Sequence, residues 1–279
     1  LLTEDPDEAR GLAEALERDN GSRQEEDRRT LEEALEHLAG DYDPETDLGV
    51  VVAGEGWHPG VSGIVASRIV ERIHRPSVVV SIDGAMARGS ARSIPGFDLL
   101  EGVSAGAPHL QRFGGHRQAA GMDLRTADIQ EFREAFRREA RARLSHDDQL
   151  RPVIRGDILL DVDEISPELV RYLTYMGPFG IRNRRPVFFA RAVAVGDARE
   201  VGSGHLKVRL GRGRHSIDGI GFGLARRLAP AGLAGRTMDA AFHLEENTFR
   251  GRTSIQARLL DLRDVGEISD LDPRPREDG

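Results

Sequence analysis

Two short apolar runs, Leu48 to Ala53 and Ser77 to Ile82, flank a stretch with helical spacing from Val61 to Ile73, and nothing limits the fold of this chain more strongly. A strand, a crossover helix and a second strand make a βαβ unit, which implies parallel pairing and helices on the sheet faces. Ala85 to Ser93 and Ala119 to Leu124 read as further strands, Phe97 to Ala107 as a short helix and Ala127 to Leu144 as an amphipathic helix. An α/β domain with a mixed sheet is expected over residues 47–146.

The flanking patterns differ. Residues 1–46 are rich in Glu, Arg, Leu and Ala, and Leu12, Leu16, Leu31, Leu35 and Leu38 fit one helical face. This predicts a long connecting helix between domains, broken or kinked at Asn20, Gly21 and Ser22. Beyond the polar stretch Ser145 to Leu150, strand-like runs follow at Val153 to Val162, Val187 to Val195, His205 to Arg209, Ser216 to Phe222, Met238 to Glu245 and Thr253 to Asp261. One helix is expected there, Pro167 to Met176. Short strands with glycine-bearing turns and one helix predict a mainly β oligonucleotide-binding barrel over residues 151–265. The tail, 266–279, combines Asp, Glu, Pro and Arg with little apolar content and is expected to be disordered.

With no cysteine there are no disulfides, thiolate metal sites or cysteine nucleophiles. No apolar run approaches the roughly 18 to 20 residues that span a bilayer, and no signal pattern opens the chain, so no membrane association and a cytoplasmic location are expected. The opening Leu1, followed at once by a charged helical pattern, reads as a piece of a longer protein. The net charge of −8 hides a split: residues 1–150 hold 18 Lys+Arg against 29 Asp+Glu, and residues 151–265 hold 19 against 13. All but Lys207 of those 19 are arginines, which suits bidentate phosphate recognition or reflects genome composition.

Three segments carry candidate chemistry. Gly54 to Gly63 (GEGWHPGVSG) leads from a strand into a helix, where backbone N–H groups can cradle phosphate. Within it Trp57 could stack on a base beside His58, or cap the core. In Arg88-Gly89-Ser90-Ala91-Arg92-Ser93, a strand would turn Ser90 and Arg92 to one face, a pairing suited to phosphate, or form a polar edge. In Phe113 to Gly121 (FGGHRQAAG), Gly114 and Gly115 precede His116, which can donate to a phosphate oxygen or move a proton. No metal-ligand cluster, nucleophile elbow or P-loop is found, and Asp161 to Glu164 reads as a solvated turn. The chain alone is expected to be inactive in hydrolysis.

The order and spacing of GWHPGVSGIVASRIVERIHRPSVVV, GSARSIPGFDLLEG and FGGHRQAAGMDL closely resemble the DHH-associated domain of RecJ exonucleases. GPFGIRNRRPVF, REVGSGHLKVRL and Asn247 to Asp261 are similar to the oligonucleotide-binding barrel that follows it in that family, and Leu1 to Leu38 resembles its interdomain helix. The chain departs from the family pattern at Ile181 and Arg182, where a small or acidic residue is usual. The resemblance implies the C-terminal, substrate-gripping part of a 5′ to 3′ exonuclease specific for single-stranded DNA. Its two Mn²⁺ or Mg²⁺ ions would be held by a DHH domain outside this chain. It implies that Ser90, Arg92 and Ser93 anchor a terminal or scissile phosphate, and that Gly114, Gly115 and His116 close over the metal site, with Trp57 and His58 nearby. Arg88, Lys207 and Arg209 would contact the strand. Single-stranded DNA is the expected partner of a monomer, with single-strand-binding protein and a recombination helicase as protein partners.

A stand-alone single-strand-binding module is the alternative, although binding alone does not need a Gly-Gly-His element. A DHH-superfamily phosphodiesterase for short oligonucleotides or cyclic dinucleotides would leave the barrel groove unfilled. The C-terminal or editing domain of an alanyl-tRNA synthetase shares the first domain and lacks the barrel.

Overall fold

The computed structural model describes residues 2–144, 147–249 and 251–266, and the chain divides into two compact units after Pro152. The expected tail lies, from residue 267, outside the described residues. No helix among the described residues is long and apolar enough to cross a membrane.

The first unit opens with α1 (Pro6–Asp41), capped by the Asp5 carboxylate, which accepts from the N–H groups of Asp7 and Glu8. The predicted break at Asn20 to Ser22 is not there. A solvent-exposed glycine costs a helix about 1 kcal/mol but does not end it. Downstream, Arg28 pairs with Glu25 and Glu32, and Arg29 with Glu26 and Glu33, at helical spacings that tie successive turns. Only the C-terminal half docks, through Leu31, Ala34, Leu35 and Leu38; Leu12 and Leu16 stay exposed.

There follow β1 (Val50–Glu55), α2 (Pro59–Ile73), β2 (Ser77–Asp83), β3 (Met86–Arg92), α3 (Leu99–Ser104), β4 (Arg112–Gly115), β5 (Ala119–Arg125) and α4 (Ile129–Arg143). The sheet order is β1-β2-β3-β5-β4, parallel between β1 and β2 and antiparallel elsewhere. Val50, Val52 and Val79 point to the side of α1 and α2, where Val61, Val65 and Ile69 pack on them. Val51, Val78 and Val80 point to the side of α3 and α4, against Phe97, Val103, Phe132 and Phe136. Burial on both faces explains the uninterrupted apolar runs of β1 and β2. The edge strand β4 was not expected from sequence, because its RFGG has little strand propensity and is held by pairing with β5.

The second unit contains β6 (Ile158–Leu159), α5 (Pro167–Tyr175), β7 (Phe188–Val201), β8 (His205–Arg212), β9 (His215–Gly221), α6 (Ala225–Leu228), β10 (Thr237–Phe249) and β11 (Arg252–Asp264). Strands run β7-β8-β9-β11-β10, and β10 pairs back onto β7 to close an oligonucleotide-binding barrel. Phe188 and Phe242 stack at 6.1 Å inside it, with Leu206, Val208 and Leu210 from β8. The strand expected over Val153 to Val162 shrinks to two residues beside β7, since the closed barrel leaves little edge to pair with.

Candidate nucleic-acid interface

On the α1/α2 side of the first sheet, β5 and β4 lack a helical cover. Register places Ser90 of β3 beside Gly121 of β5, and Gly121 beside Gly114 of β4. Ser90 is half-buried, while both glycines are exposed and form a floor free of side chains. A Cβ added at Gly114 would meet nothing within 4 Å, so no internal packing calls for glycine there. Gly115 differs: at φ +154° a Cβ would lie 2.4 Å from the Ala119 carbonyl oxygen, so the turn itself requires glycine.

Arg92 flanks this floor, half-buried on the same face as Ser90, as the alternation of β3 predicts. Its guanidinium crosses Gly63 of α2, where a Cβ would approach Nη2 to 2.8 Å, so Gly63 makes its berth. Nη1 donates to the Ala91 carbonyl at 2.8 Å, and no carboxylate among the described residues pairs with it. A partly desolvated cation without a counterion favours binding of an anion. At the far end of the floor, Asp123 accepts from Arg88 at 3.0 Å and from Arg112 at 2.6 Å. Burial alone would raise the Asp123 carboxyl, but hydrogen bonds and charge from both arginines outweigh it and hold it below the usual carboxylate range. One positive charge of that trio remains uncompensated.

His116 follows the floor strand, its backbone N–H donating to Ala119 at 2.8 Å and its ring exposed. Ser93, expected beside Ser90 and Arg92 as a phosphate anchor, instead donates its hydroxyl to the Phe97 carbonyl at 2.8 Å, holding the turn into α3. The reading of Trp57 as a base-stacking residue is likewise corrected. Its ring is 2% exposed, its indole N–H donates to Glu33 at 2.7 Å, and Ser81 donates to its carbonyl. Gly54 is small because that ring lies over it, 2.2 Å from where a Cβ would stand. His58 is exposed but caps α2, its Nδ1 accepting from the Gly60 N–H at 3.0 Å, and Pro59 offers no N–H. The expected phosphate cradle at this loop is therefore filled by its own residues. The neighbouring cleft, about 910 Å³, is lined by Glu26, Glu55 and Asp83, with His58 and the paired Arg88 and Asp123.

The barrel carries a second cationic surface. Lys207 and Arg209 of β8 point outward between the buried Leu206, Val208 and Leu210, and share Asp218 of β9 at 3.6 Å and 3.4 Å. Phe222, 55% exposed, stands just past β9 with the His205 ring edge-on at 5.2 Å and the Arg258 guanidinium 5.5 Å over its face. Phe222, His205, Arg258 and Arg112 were missed from sequence. The alternation of HLKVRL already singles out His205 beside Lys207 and Arg209, but Phe222 and Arg258 meet only through the parallel pairing of β9 and β11. Among the described residues no three His, Asp or Glu side chains converge to hold a metal ion.

Comparison with known proteins agrees with this architecture. Residues 47–142 match the DHHA1 domain model and residues 156–261 the RecJ OB domain model. The single-stranded-DNA-specific exonuclease RecJ of Dickeya dadantii is 37% identical over 94% of this chain and 46% of its own length. That of Bacillus subtilis is 35% identical over 80% of this chain and 28% of its own. The crystal structure of RecJ in complex with Mn²⁺ from Thermus thermophilus superposes with a TM-score of 0.76 at 30% identity, covering 95% of this chain and 37% of that one; a second, in complex with Mg²⁺, gives 0.75. The chain thus spans less than half the length of these relatives. With a DHHA1 domain followed by a RecJ OB domain, and likeness to RecJ along nearly all its length, the chain belongs to the RecJ family.

Proposed function

We propose that this chain grips single-stranded DNA for a metal-dependent exonuclease of the RecJ type, which hydrolyses phosphodiester bonds from the 5′ end. The observation that carries the reading is Arg92, a half-buried guanidinium without a carboxylate partner among the described residues, beside a bare floor of Gly114 and Gly121. Phosphate fits there: Arg92 supplies charge and a planar fork, Ser90 a short donor, and the glycines let the backbone of a strand come close. The exposed ring of His116, just past the floor strand, is read as a donor to the phosphoryl oxygens, auxiliary to hydrolysis. Along the barrel, Lys207, Arg209 and Arg258 follow the strand's phosphates, and Phe222 offers a ring on which any base can stack.

Mn²⁺ or Mg²⁺, named with the Thermus thermophilus enzyme, would supply the attacking hydroxide and stabilise the leaving oxygen. The described residues do not fit such ions, since no three ligating side chains converge; binding and orientation are the roles this reading gives the chain. Supporting this division, the candidate surfaces are built from arginine, serine, glycine and histidine rather than from clustered carboxylates.

Titration of fluorescent single-stranded and duplex DNA over a salt series, without metal, tests the reading. Salt-sensitive preference for single strands, weakened by Arg92→Ala, is expected. Equal affinity for duplex, or indifference to Arg92→Ala, would remove it, and nucleotide release on adding Mn²⁺ would show that the hydrolytic centre lies within this chain.

A further inference from the structure

Between Leu169 and Gly196 the chain holds five arginines and no carboxylate. The segment includes the end of α5 and the turn that follows, and it displays large side chains to solvent. Tyr175 is 73% exposed and Ile181 97%, with Tyr172 and Met176 more than half exposed. Such exposure usually reflects a loose loop, but this one is pinned. Gly180 and Asn183 exchange backbone hydrogen bonds at 2.8 and 3.2 Å, and the Asn183 amide donates to the carbonyls of Met176 and Pro178 at 2.9 and 3.0 Å. The two residues of the turn tip are Ile181 and Arg182, and Arg182 is held at φ +68°, a left-handed conformation that side-chain-bearing residues avoid. Phe179 is half-buried under the Arg185 guanidinium at 5.1 Å, and Arg185 also donates to the Leu244 carbonyl. The fold thus holds an apolar residue and an arginine outward on a braced turn, where a short polar loop would serve connection alone.

The charges around it are largely free. Arg182 and Arg184 have no hydrogen bond or ion pair to any described residue, and Arg171 has only a long contact to Glu168, 3.8 Å, while lying 5.9 Å from the Tyr172 ring. Exposed tyrosine rings beside guanidinium groups, of which Arg182 and Arg184 lack a partner among the described residues, match a strand of stacked bases strung on phosphates. Five arginines against no carboxylate between Leu169 and Gly196 give this surface the charge complement of a polyanion.

We propose that Arg171 to Arg185 is a contact for single-stranded nucleic acid on the barrel unit, separate from the strip of Lys207, Arg209 and Phe222. Tyr172 and Tyr175 stack on bases, and Arg171, Arg182 and Arg184 neutralise phosphates. The inference rests on the single-strand reading above and adds to it a site outside the β8–β9–β11 face.

The test uses the whole 279-residue chain and a thymidine oligonucleotide bearing 5-iodouracil. Ultraviolet cross-linking of the unsubstituted protein is expected to label Tyr172 or Tyr175. In titrations, Arg171→Gln with Arg182→Gly and Arg184→Gln should lower the slope of log affinity against log salt by about 0.7 for each arginine. Tyr172→Ala with Tyr175→Ala should weaken binding about thirtyfold or more. Arg92→Ala serves as the reference. If Arg92→Ala weakens binding while the turn variants bind as wild type and no tyrosine is labelled, the turn is not a nucleic-acid site, and capture of an acidic protein would then be the better account of it. If the unsubstituted chain ignores single strands altogether, both readings fall. Cross-linking needs no substitution, so a variant that fails to fold leaves the question answerable.

Discussion

The two cationic surfaces are built on opposite plans. On the first sheet, Arg92 is half-buried, lies in a berth made by Gly63 and has no counterion among the described residues. On the barrel, Lys207 is half-buried and Arg209 exposed, both share Asp218, and the distinguishing group is an aromatic ring bracketed by His205 and Arg258. A pre-positioned, partly desolvated cation holds one phosphate at a defined place. Screened, mobile charges beside a stacking ring hold many registers of a strand with similar energy. On the reading proposed above, the first type suits a place next to the chemistry and the second the path of the polymer.

The largest effect should come from the first surface. Arg92→Ala is expected to cost single-strand binding roughly 1.5 to 3 kcal/mol, the usual value of a charged hydrogen bond, while leaving thermal stability unchanged or raised, because an uncompensated cation has been removed. Fluorescence anisotropy and a melting curve on the same sample read both, and loss of stability would show that Arg92 is a structural residue. Next comes Phe222→Ala, expected to cost about 1 to 3 kcal/mol whatever the base, as for other stacking platforms. A loss confined to one base would mean that this ring reads sequence, and the contrast with Arg92 would have to be redrawn.

The glycines separate fold from function within the first surface. Gly115→Ala should lower stability by about 1 to 3 kcal/mol, since its backbone is in a region side chains avoid. Gly114→Ala should stay within about 0.5 kcal/mol of wild type by denaturant titration, as surface changes do, yet weaken DNA binding. Equal destabilisation by both would mean that Gly114 serves the fold as well. A smaller effect is expected from Asp218→Asn. It frees Lys207 and Arg209, so affinity at low salt should rise and the salt dependence steepen; an unchanged salt slope would show that neither cation meets phosphate.

The smallest effect is in pH. The Asp123 carboxyl is held below its ordinary range by Arg88 and Arg112 against the opposing effect of burial, so its ionised form stabilises the fold above the unfolded value of about 3.9 and that contribution fades as pH falls through the lower folded value. The stability gap between wild type and Asp123→Asn, followed by urea titration, should therefore narrow below about pH 4. A gap that stays constant into acid would mean that the arginine pair contributes through packing alone.

Legibility from sequence followed the range of the interactions involved. Alternation in GSAR and HLKVRL turns Ser90 with Arg92, and Lys207 with Arg209, onto common faces, because strand geometry repeats every two residues whatever the chain does elsewhere. The βαβ unit was readable for the same reason. The unbroken α1 was not, because ion pairs across its later turns and docking of its second half outweigh a local propensity. Nor was β4, an edge strand that pairs with β5 and with no other strand among the described residues.

The order of elements, the two-unit architecture and the segments that carry arginine, glycine and histidine are written in local patterns along the chain. Which of those side chains are available is set by packing between distant elements. It buried Trp57 against Glu33, spent Ser93 on the turn into α3, and let His58 cap its own helix. It also aligned Ser90, Gly121 and Gly114 across three strands and brought Arg258 over Phe222. The reason is that periodicity is a property of neighbours along the chain, whereas the partner that satisfies or exposes a polar group is supplied by residues tens of positions away.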